Sequence, residues 1–506
     1  MKASSRIIVN TIAQYARSII NMVLTLYSSR LVLSILGQED YGVYSLVAGV
    51  VSLLSFLTNS LVGSTQRFLS VSQGLGNIDR LKEVFNNSLI LHIAIGFIIS
   101  LFLGILTNFI FDGFLNIPDG RIAIAKMLYL IVVVMVYISF ITSPYRALLV
   151  SHENIVYVSA IDVLDGILKV ILVLFLPLID SDKLLAYGCV LLAIQLFNLF
   201  AFMIYSHCRY EECILPRFKL FSITYLKELS HFTGWILYSS ICISFRVQGL
   251  AIVLNKVFGS VINAAYGIGS QISGMISFIS SSFTNAIAPQ LMAAEGRGDR
   301  KRMLLLAEIQ SKISFLLLSM IGIPVMFEMQ ELLEIWLVDV PDHTMVFSCM
   351  FLSMQIIDML SSGLGNANRA IGNIGFYTLV TYTPKLIVLP ISWFLLKNGN
   401  DLGSIVVLMV FIETLCMLLR IFLLRKESWF NLKEYMCSVI VRSLPPVCMS
   451  IIVCLLIHTT LDINMRFIIS FLCSVPLFVI VSYFWALNKS ERSVVISLVN
   501  KILSKI

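Results

Sequence analysis

Residues 127–142 read Met-Leu-Tyr-Leu-Ile-Val-Val-Val-Met-Val-Tyr-Ile-Ser-Phe-Ile-Thr, with no charged side chain. Apolar residues extend the run from Ile122 to Leu149, and its only charges, Lys126 and Arg146, lie near the ends. About 20 mostly apolar residues suffice to cross the ~30 Å of bilayer hydrocarbon as a helix. Barrel strands would instead show alternating segments of ~10 residues, and this run is uninterrupted. The same reading outward along the chain predicts fourteen spans, near 7–36, 41–66, 84–111, 122–149, 154–179, 184–206, 228–255, 260–290, 309–333, 343–368, 374–396, 402–424, 436–458 and 467–487. The fold class is therefore all-α, a polytopic membrane bundle.

Composition agrees. Of 506 residues, 58% are hydrophobic and 13% charged, against about 25% charged in soluble domains. That excludes a soluble enzyme, a nucleic-acid binder and a disordered scaffold. The net charge of +7 marks no nucleic-acid partner, because no basic patch is interleaved with aromatics. The ten cysteines fall mostly in apolar segments and include no CxxC, so neither a metal nor a cofactor is expected.

The basic residues orient the bundle. With the N-terminus inside, six Lys and Arg face outward (Arg121, Lys126, Lys183, Lys256, Lys397, Arg466), six lie within spans (Arg17, Arg30, Lys169, Arg246, Lys385, Arg442) and the other 24 of the 36 lie at the inner side. An excess of cations in cytoplasmic loops sets topology. Both termini are expected in the cytoplasm.

A weak internal repeat appears at an offset of 222 residues. Gly74-Leu75-Gly76-Asn77 with Arg80 aligns on Gly296-Arg297-Gly298-Asp299 with Arg302, and Gly37, Tyr44 and Ser60 align on Gly259, Tyr266 and Ser282. Two glycines, an Asx and a basic residue suit a turn that ends a helix. Six spans separate the copies, so both halves insert with the same orientation. The expected organisation is an N-lobe over 1–206, a linker over 207–227, a C-lobe over 228–424, and two additional helices with a tail over 425–506.

Charges inside spans cost at least ~2.5–3.5 kcal/mol and mark candidate sites. Asn10, Gln14, Arg17, Asn21 and Ser28 form one polar stripe at helical period on span 1. Ser239, Cys242, Arg246 and Gly249 form the matching stripe on span 7. Arg17 and Arg246 are expected to face a shared central cavity, the bland alternative for Arg17 being snorkelling to the interface. On span 5, Asp165 and Lys169 have i,i+4 ion-pair spacing, which leaves Asp162 as a surplus acid and a candidate coupling site for a proton or cation. Thr383-Pro384-Lys385 and Pro390 predict a bent or broken span 11. Asp358 and Glu413 read as isolated acids, each either a coupling site or half of a pair with a cation such as Lys385 or Arg442. His92 reads as a packed histidine.

With Leu36-Gly37-Gln38-Glu39-Asp40-Tyr41-Gly42-Val43-Tyr44 between spans 1 and 2, the whole chain resembles the polysaccharide-transporter branch of the multidrug/oligosaccharidyl-lipid/polysaccharide (MOP) exporter superfamily, the Wzx-type flippases. The resemblance implies a MATE-like fold, a lipid-diphosphate-linked oligosaccharide as substrate, movement from the inner to the outer leaflet by alternating access, and coupling to a proton or sodium gradient. It implies that spans 1 and 7 line the cavity, with Arg17, Arg246, Asn10, Gln14, Asn21, Ser239 and Lys385 as substrate contacts, and other polysaccharide-assembly proteins as partners. The rivals are a cation-coupled multidrug exporter, a lipid II flippase, and, from another class, a membrane polymerase or glycosyltransferase. The last lacks a catalytic constellation in this sequence.

Overall fold

The computed structural model describes residues 3–52, 55–109, 111, 119–180, 182–217, 220–258, 260–337, 340–372, 374–424, 430–461, 465–488 and 491–492. In chain order the first helices are α1 (Ala3–Ser52), α2 (Ser55–Leu75), α3 (Ile78–Ile105), α4 (Thr107–Phe109), α5 (Ile122–Ser151), α6 (Ile155–Phe175) and α7 (Lys183–Arg209). There follow α8 (Ile223–Phe258), α9 (Ser260–Gly296), α10 (Arg300–Phe327), α11 (Met329–Trp336), α12 (Thr344–Met359), α13 (Ser362–Ile371), α14 (Gly375–Lys397), α15 (Leu402–Leu424), α16 (Leu432–Tyr435), α17 (Arg442–Thr460) and α18 (Arg466–Val481). Helix runs through each of the fourteen expected stretches. Among the described residues, nine helices are long and apolar enough to cross a membrane, or ten if the bent pair α12–α13 is one span. The helix α6 falls outside that count because Asp162, Asp165 and Lys169 lie on it, and α1 joins two expected spans across Gly37. Gly37 has φ +80°, where a side chain would be strained, and it turns the chain between them. The total of fourteen crossings therefore stands as a proposal.

The chain divides into two compact units. The first comprises residues 8–237 and 292–298, with a core that includes Val32, Leu36, Val43, Leu128, Tyr129, Val132 and Leu184. The linker belongs to it. Arg217 N donates to Asn86 Oδ1 at 2.7 Å while Asn86 Nδ2 donates to Arg217 O at 3.1 Å. Asn87 grips Ser222 N and Leu220 O in the same way, at 3.0 Å each. His152 pairs with Glu212 and stacks on Tyr210 at 4.0 Å between centroids. At the opposite end of α5, Arg121 holds both Asp40 (2.7 Å) and Asp182 (2.5 Å), and Asp182 also caps α7. His92 is fully buried with Nδ1 on Ser88 O at 2.7 Å, a packed histidine.

The second unit comprises residues 1–7, 238–291 and 299–506. Its core includes Leu250, Leu254, Tyr266, Phe347, Met350, Ile405 and Met409. The two additional helices are pinned to α10 at both ends. Glu328, at its C-cap and fully buried, accepts from Arg466 Nε (2.8 Å) and Ser470 Oγ (2.7 Å), and buried Lys312 binds Glu491 at 2.7 Å. The prolines of span 11, expected to bend or break it, do not break it. The helix α14 runs unbroken through Pro384 and Pro390, whereas α12 and α13 meet at 49° across Leu360 and Ser361. There the freed groups find partners: Tyr435 Oη donates to Leu360 O at 2.7 Å, and Arg420 Nη1 donates to Ser361 Oγ at 3.4 Å. A break is tolerated at membrane depth only where its polar groups are satisfied in this way.

The turn motif of the repeat is matched in geometry. Gly76 and Gly298 take φ +68° and +74°, and Asn77 and Asp299 cap the following helices at Arg80 N and Arg302 N.

Candidate functional site

The stripe on α1 faces protein. Asn10, 4% exposed, donates to Glu153 O at 2.9 Å, Gln14 is equally buried, and Arg17 reaches α6. Arg17 Nη1 lies 2.7 Å from Asp162 Oδ2. The same carboxylate receives both guanidinium nitrogens of Arg146, at 2.9 Å and 2.6 Å. Asp162 is thus no surplus acid but one carboxylate shared by two arginines. The bidentate fork of Arg146 fixes its plane, so the acid stays in place if Arg17 lets go. Asp165 binds Lys169 Nζ at 2.6 Å, the expected i,i+4 pair, and accepts from Asn198 Nδ2 at 2.6 Å.

Beside this cluster, still within the first unit, is a pocket of about 410 Å³. Asn21, Thr25 and Ser28 of α1, Asp162, Asp165 and Lys169 of α6, and the phenols Tyr44 and Tyr187 give it polar walls. Leu24, Val32 and Leu191 interleave apolar surface. Gly166 lets α6 approach α1 closely, since a Cβ there would lie 2.9 Å from Leu24 Cδ1 and 3.2 Å from Asn21 Oδ1. That Asn21 oxygen is buried without a partner. A buried acceptor left unpaired costs about 1–3 kcal/mol, which a ligand hydroxyl would relieve.

The second unit carries a cluster of the same make-up on different helices. Arg246 of α8 and Lys385 of α14 share Glu413 of α15, the lysine at 2.7 Å, and Arg420 of α15 binds Asp358 of α12 at 2.6 Å. The ring of Tyr382 lies 5.6 Å from Lys385 Nζ and 5.4 Å from the Arg420 guanidinium. Ser239 and Cys242 are buried on α8, and Tyr238 hydrogen-bonds Thr383 at 2.8 Å. Asp358 and Glu413 are therefore paired, not isolated, and the partner of Asp358 is Arg420, not Lys385 or Arg442. Each cluster sets three cations against two carboxylates. The two-cation groups around one carboxylate differ in water: Asp162, Arg17 and Arg146 are 19%, 23% and 34% exposed, whereas Glu413, Lys385 and Arg246 are 1%, 4% and 10%; Asp358, beyond that group, is 30% exposed.

Sequence reading missed Arg146 and Arg420, which the charge count placed among inner-end cations. Arg420 follows Glu413 by seven residues on one helical face, a readable signal. Arg146, 16 residues and one turn of chain before Asp162, left none. Among the described residues no group of three or more His, Cys, Asp or Glu could hold a metal ion.

Residues 5–294 match the family described as polysaccharide biosynthesis protein. The chain is 22% identical over 318 residues to the uncharacterised membrane protein EpsK of Bacillus subtilis, a match spanning 62% of this chain and 61% of that protein's length. Its fold is that of the MATE transporter VcmN of Vibrio cholerae (TM-score 0.72, 14% identity, 84% of this chain and 98% of that one). A MOP superfamily transporter from Pyrococcus furiosus, whose binding pocket is described as reversed in polarity, superposes with TM-score 0.68 at 11% identity over 86% of this chain and 97% of that one.

Proposed function

The chain belongs to the polysaccharide biosynthesis protein family, and on that premise we propose that it is a MOP-type membrane transporter rather than an enzyme, and that it flips a lipid-diphosphate-linked oligosaccharide from the inner to the outer leaflet of a bacterial cytoplasmic membrane. The observation that carries this reading is the shared carboxylate of the first unit beside its polar pocket. An oligosaccharide needs adaptable hydroxyl partners and apolar ring faces, and Asn21, Thr25, Ser28 and Asp165 with Tyr44 and Tyr187 offer both. A diphosphate needs a planar donor fork. Arg17 can supply it by exchanging Asp162 for a phosphate oxygen, because Arg146 keeps Asp162 compensated during the exchange.

The exchange also explains why the cations are paired at rest. A bare guanidinium in hydrocarbon is costly, and the carboxylate occupies it until an anion of better geometry arrives. In the second unit Arg246 and Lys385 share Glu413 in a drier setting. We assign that cluster to the conformational cycle, with Glu413 and Asp358, and with Asp162 and Asp165 of the first unit, as the groups through which a proton or sodium gradient acts. Polysaccharide-assembly proteins are the natural partners, and both termini face the cytoplasm in this reading.

The second reading is a cation-coupled multidrug exporter, favoured by one observation: two carboxylates, Asp162 and Asp165, line the pocket. The purified chain in liposomes separates the two. Lipid-linked glycan initially shielded from a glycan-cleaving enzyme added outside should become accessible to it as it crosses, and Arg17→Gln should slow this at least tenfold. Movement of a cationic dye down a gradient, with the glycan left in place, would reverse the assignment.

A further inference from the structure

The two copies of the internal repeat meet backbone to backbone at one place. Gly74 in the last turn of α2 and Gly296 at the end of α9 are repeat mates, and both belong to the first unit. A Cβ on Gly74 would overlap the carbonyl oxygen of Ala293 and lie 2.8 Å from both Arg297 N and Gly296 Cα. A Cβ on Gly296 would overlap the carbonyl oxygen of Val71 and lie 2.9 Å from Val71 Cα. Each glycine thus sits on the carbonyl three residues before the other. Gly63 of α2, and Gly267 and Gly274 of α9, have nothing within 4 Å of such an atom, whereas Gly269 of α9 is packed against Phe347 and Ser348; the crossing is where α2 and α9 themselves require closeness. A helix glycine costs about 1 kcal/mol relative to alanine, and the chain accepts that cost twice, at matched positions.

Three features mark the contact as one that comes apart. It is backbone on backbone, the province of Cα–H···O contacts at about 0.5–1 kcal/mol each. Parting it orphans nothing, because Ala293 O keeps its own helical bond from Arg297 N at 3.1 Å. By contrast Gly363, pressed as tightly against Ala307, is fastened by a hydrogen bond from its N–H to Ser311 Oγ at 3.0 Å. Second, α9 serves both units: residues up to Leu291 belong to one and Met292–Gly298 to the other, with Pro289 just before the change. A proline inside a helix removes one backbone bond and makes a bending point. Third, Arg67 lies on the face of α2 that carries Val71 and Gly74, buried to 7% exposure. Its guanidinium is 4.6 Å and 4.7 Å from the rings of Phe68 and Phe232, and its charge is felt by Glu228 on α8 and by Glu295, the neighbour of Gly296.

We propose that the Gly74–Gly296 crossing, latched by Arg67, is a separable closure at the end of the bundle where α2 and α9 terminate, made in the conformation seen here and released once per transport cycle. This rests on the reading of the chain as a transporter. The test is hydrogen–deuterium exchange of the purified full chain, with surface polysaccharide scored in cells lacking their own transporter. Gly74→Ala and Gly296→Ala should each speed exchange across 67–76 and 289–297 by about five- to thirty-fold, the loss of one or two kcal/mol of contact, and should reduce surface polysaccharide at least tenfold. Gly63→Ala should change neither. Arg67→Gln, which leaves the crossing sterically intact, should speed the same two segments. Unchanged exchange in both crossing variants, an equal rise in Gly63→Ala, or faster exchange with normal polysaccharide would each overturn the closure. Because exchange is read without any cargo, a failure of glycan transport in liposomes with exchange behaving as stated would sink the choice of substrate and leave the closure standing.

Discussion

Replacing Glu413 with glutamine tests whether the dry cluster is an integral part of the second unit. Its carboxylate is 1% exposed, between Arg246 and a Lys385 ammonium 2.7 Å away. At that separation and an effective dielectric of about 20, the attraction to the lysine alone is about 6 kcal/mol. Most of it offsets the cost of taking the charges out of water, so the measurable quantity is the penalty for stranding a partner, about 3–5 kcal/mol. Here one substitution strands two cations, which puts the expectation at the upper end, about 5 kcal/mol. At roughly 2 °C per kcal/mol for a large domain, the detergent-solubilised protein should lose about 10 °C in apparent Tm. Lys385→Met alone should cost far less, because Glu413 keeps Arg246. The double variant should recover about 2 kcal/mol relative to the sum of the singles, the size expected of directly coupled residues. A Glu413→Gln protein melting within 2 °C of its parent, or strict additivity in the cycle, would refute the argument that the network is buried and mutually compensated.

Asp162→Asn should behave in the opposite way: its pairs are partly solvated, so the stability loss is about 1 kcal/mol or less, while glycan transport falls at least tenfold in the liposome assay. Glu328→Gln should loosen α17–α18 from α10, because a fully buried carboxylate that accepts from Arg466 and Ser470 is lost; the readout is faster hydrogen exchange confined to residues 442–481 by at least tenfold, with no change in the first unit. The linker clamp predicts a pH effect. Burial pushes the Glu212 carboxyl up, but the hydrogen bond and charge of His152, with its own backbone N–H and Lys82, outweigh this and hold it below its ordinary 4.5. A lowered folded-state value means that the stabilisation is complete above the unfolded value and is lost as pH falls through the folded one. Apparent Tm should therefore drop as pH is taken below about 4.5, and His152→Ala should flatten that part of the profile.

What was legible in the sequence was local or periodic. The stripe Asn10, Gln14, Arg17 and Asn21 could be read because helical spacing puts those residues on one face, and the Asp165–Lys169 pair because i,i+4 neighbours touch. The Gly76 and Gly298 turns could be read because glycine adopts the positive φ they need at least cost. The charge pairings could not. Arg17 finds Asp162 across 145 residues and Arg246 finds Glu413 across 167, and a sequence shows a lone acid wherever its cation comes from another helix. The break was sought at Pro384 because proline removes a helix bond, yet α14 persists there, and the chain breaks instead at Leu360-Ser361. Arg420 and Tyr435, far along the sequence, satisfy the groups exposed at that point.

The contrast in solvation between two clusters of equal charge composition bears on how one chain can both bind and move. An ion pair that a substrate can displace must be partly wet, since displacement in a dry core would pass through a stranded charge worth several kcal/mol. The Arg17–Asp162–Arg146 group meets that condition, with its side chains a fifth to a third exposed and a pocket at its edge. The Arg246–Glu413–Lys385 group does not. It can change state only with its whole surroundings, as a buried two-position element does. Glu413 reaches that element through α15, which also carries Arg420 to the break between α12 and α13. A proton or cation that altered Glu413 would therefore act on the break between α12 and α13. It would do so without any need to visit the pocket proposed for the cargo.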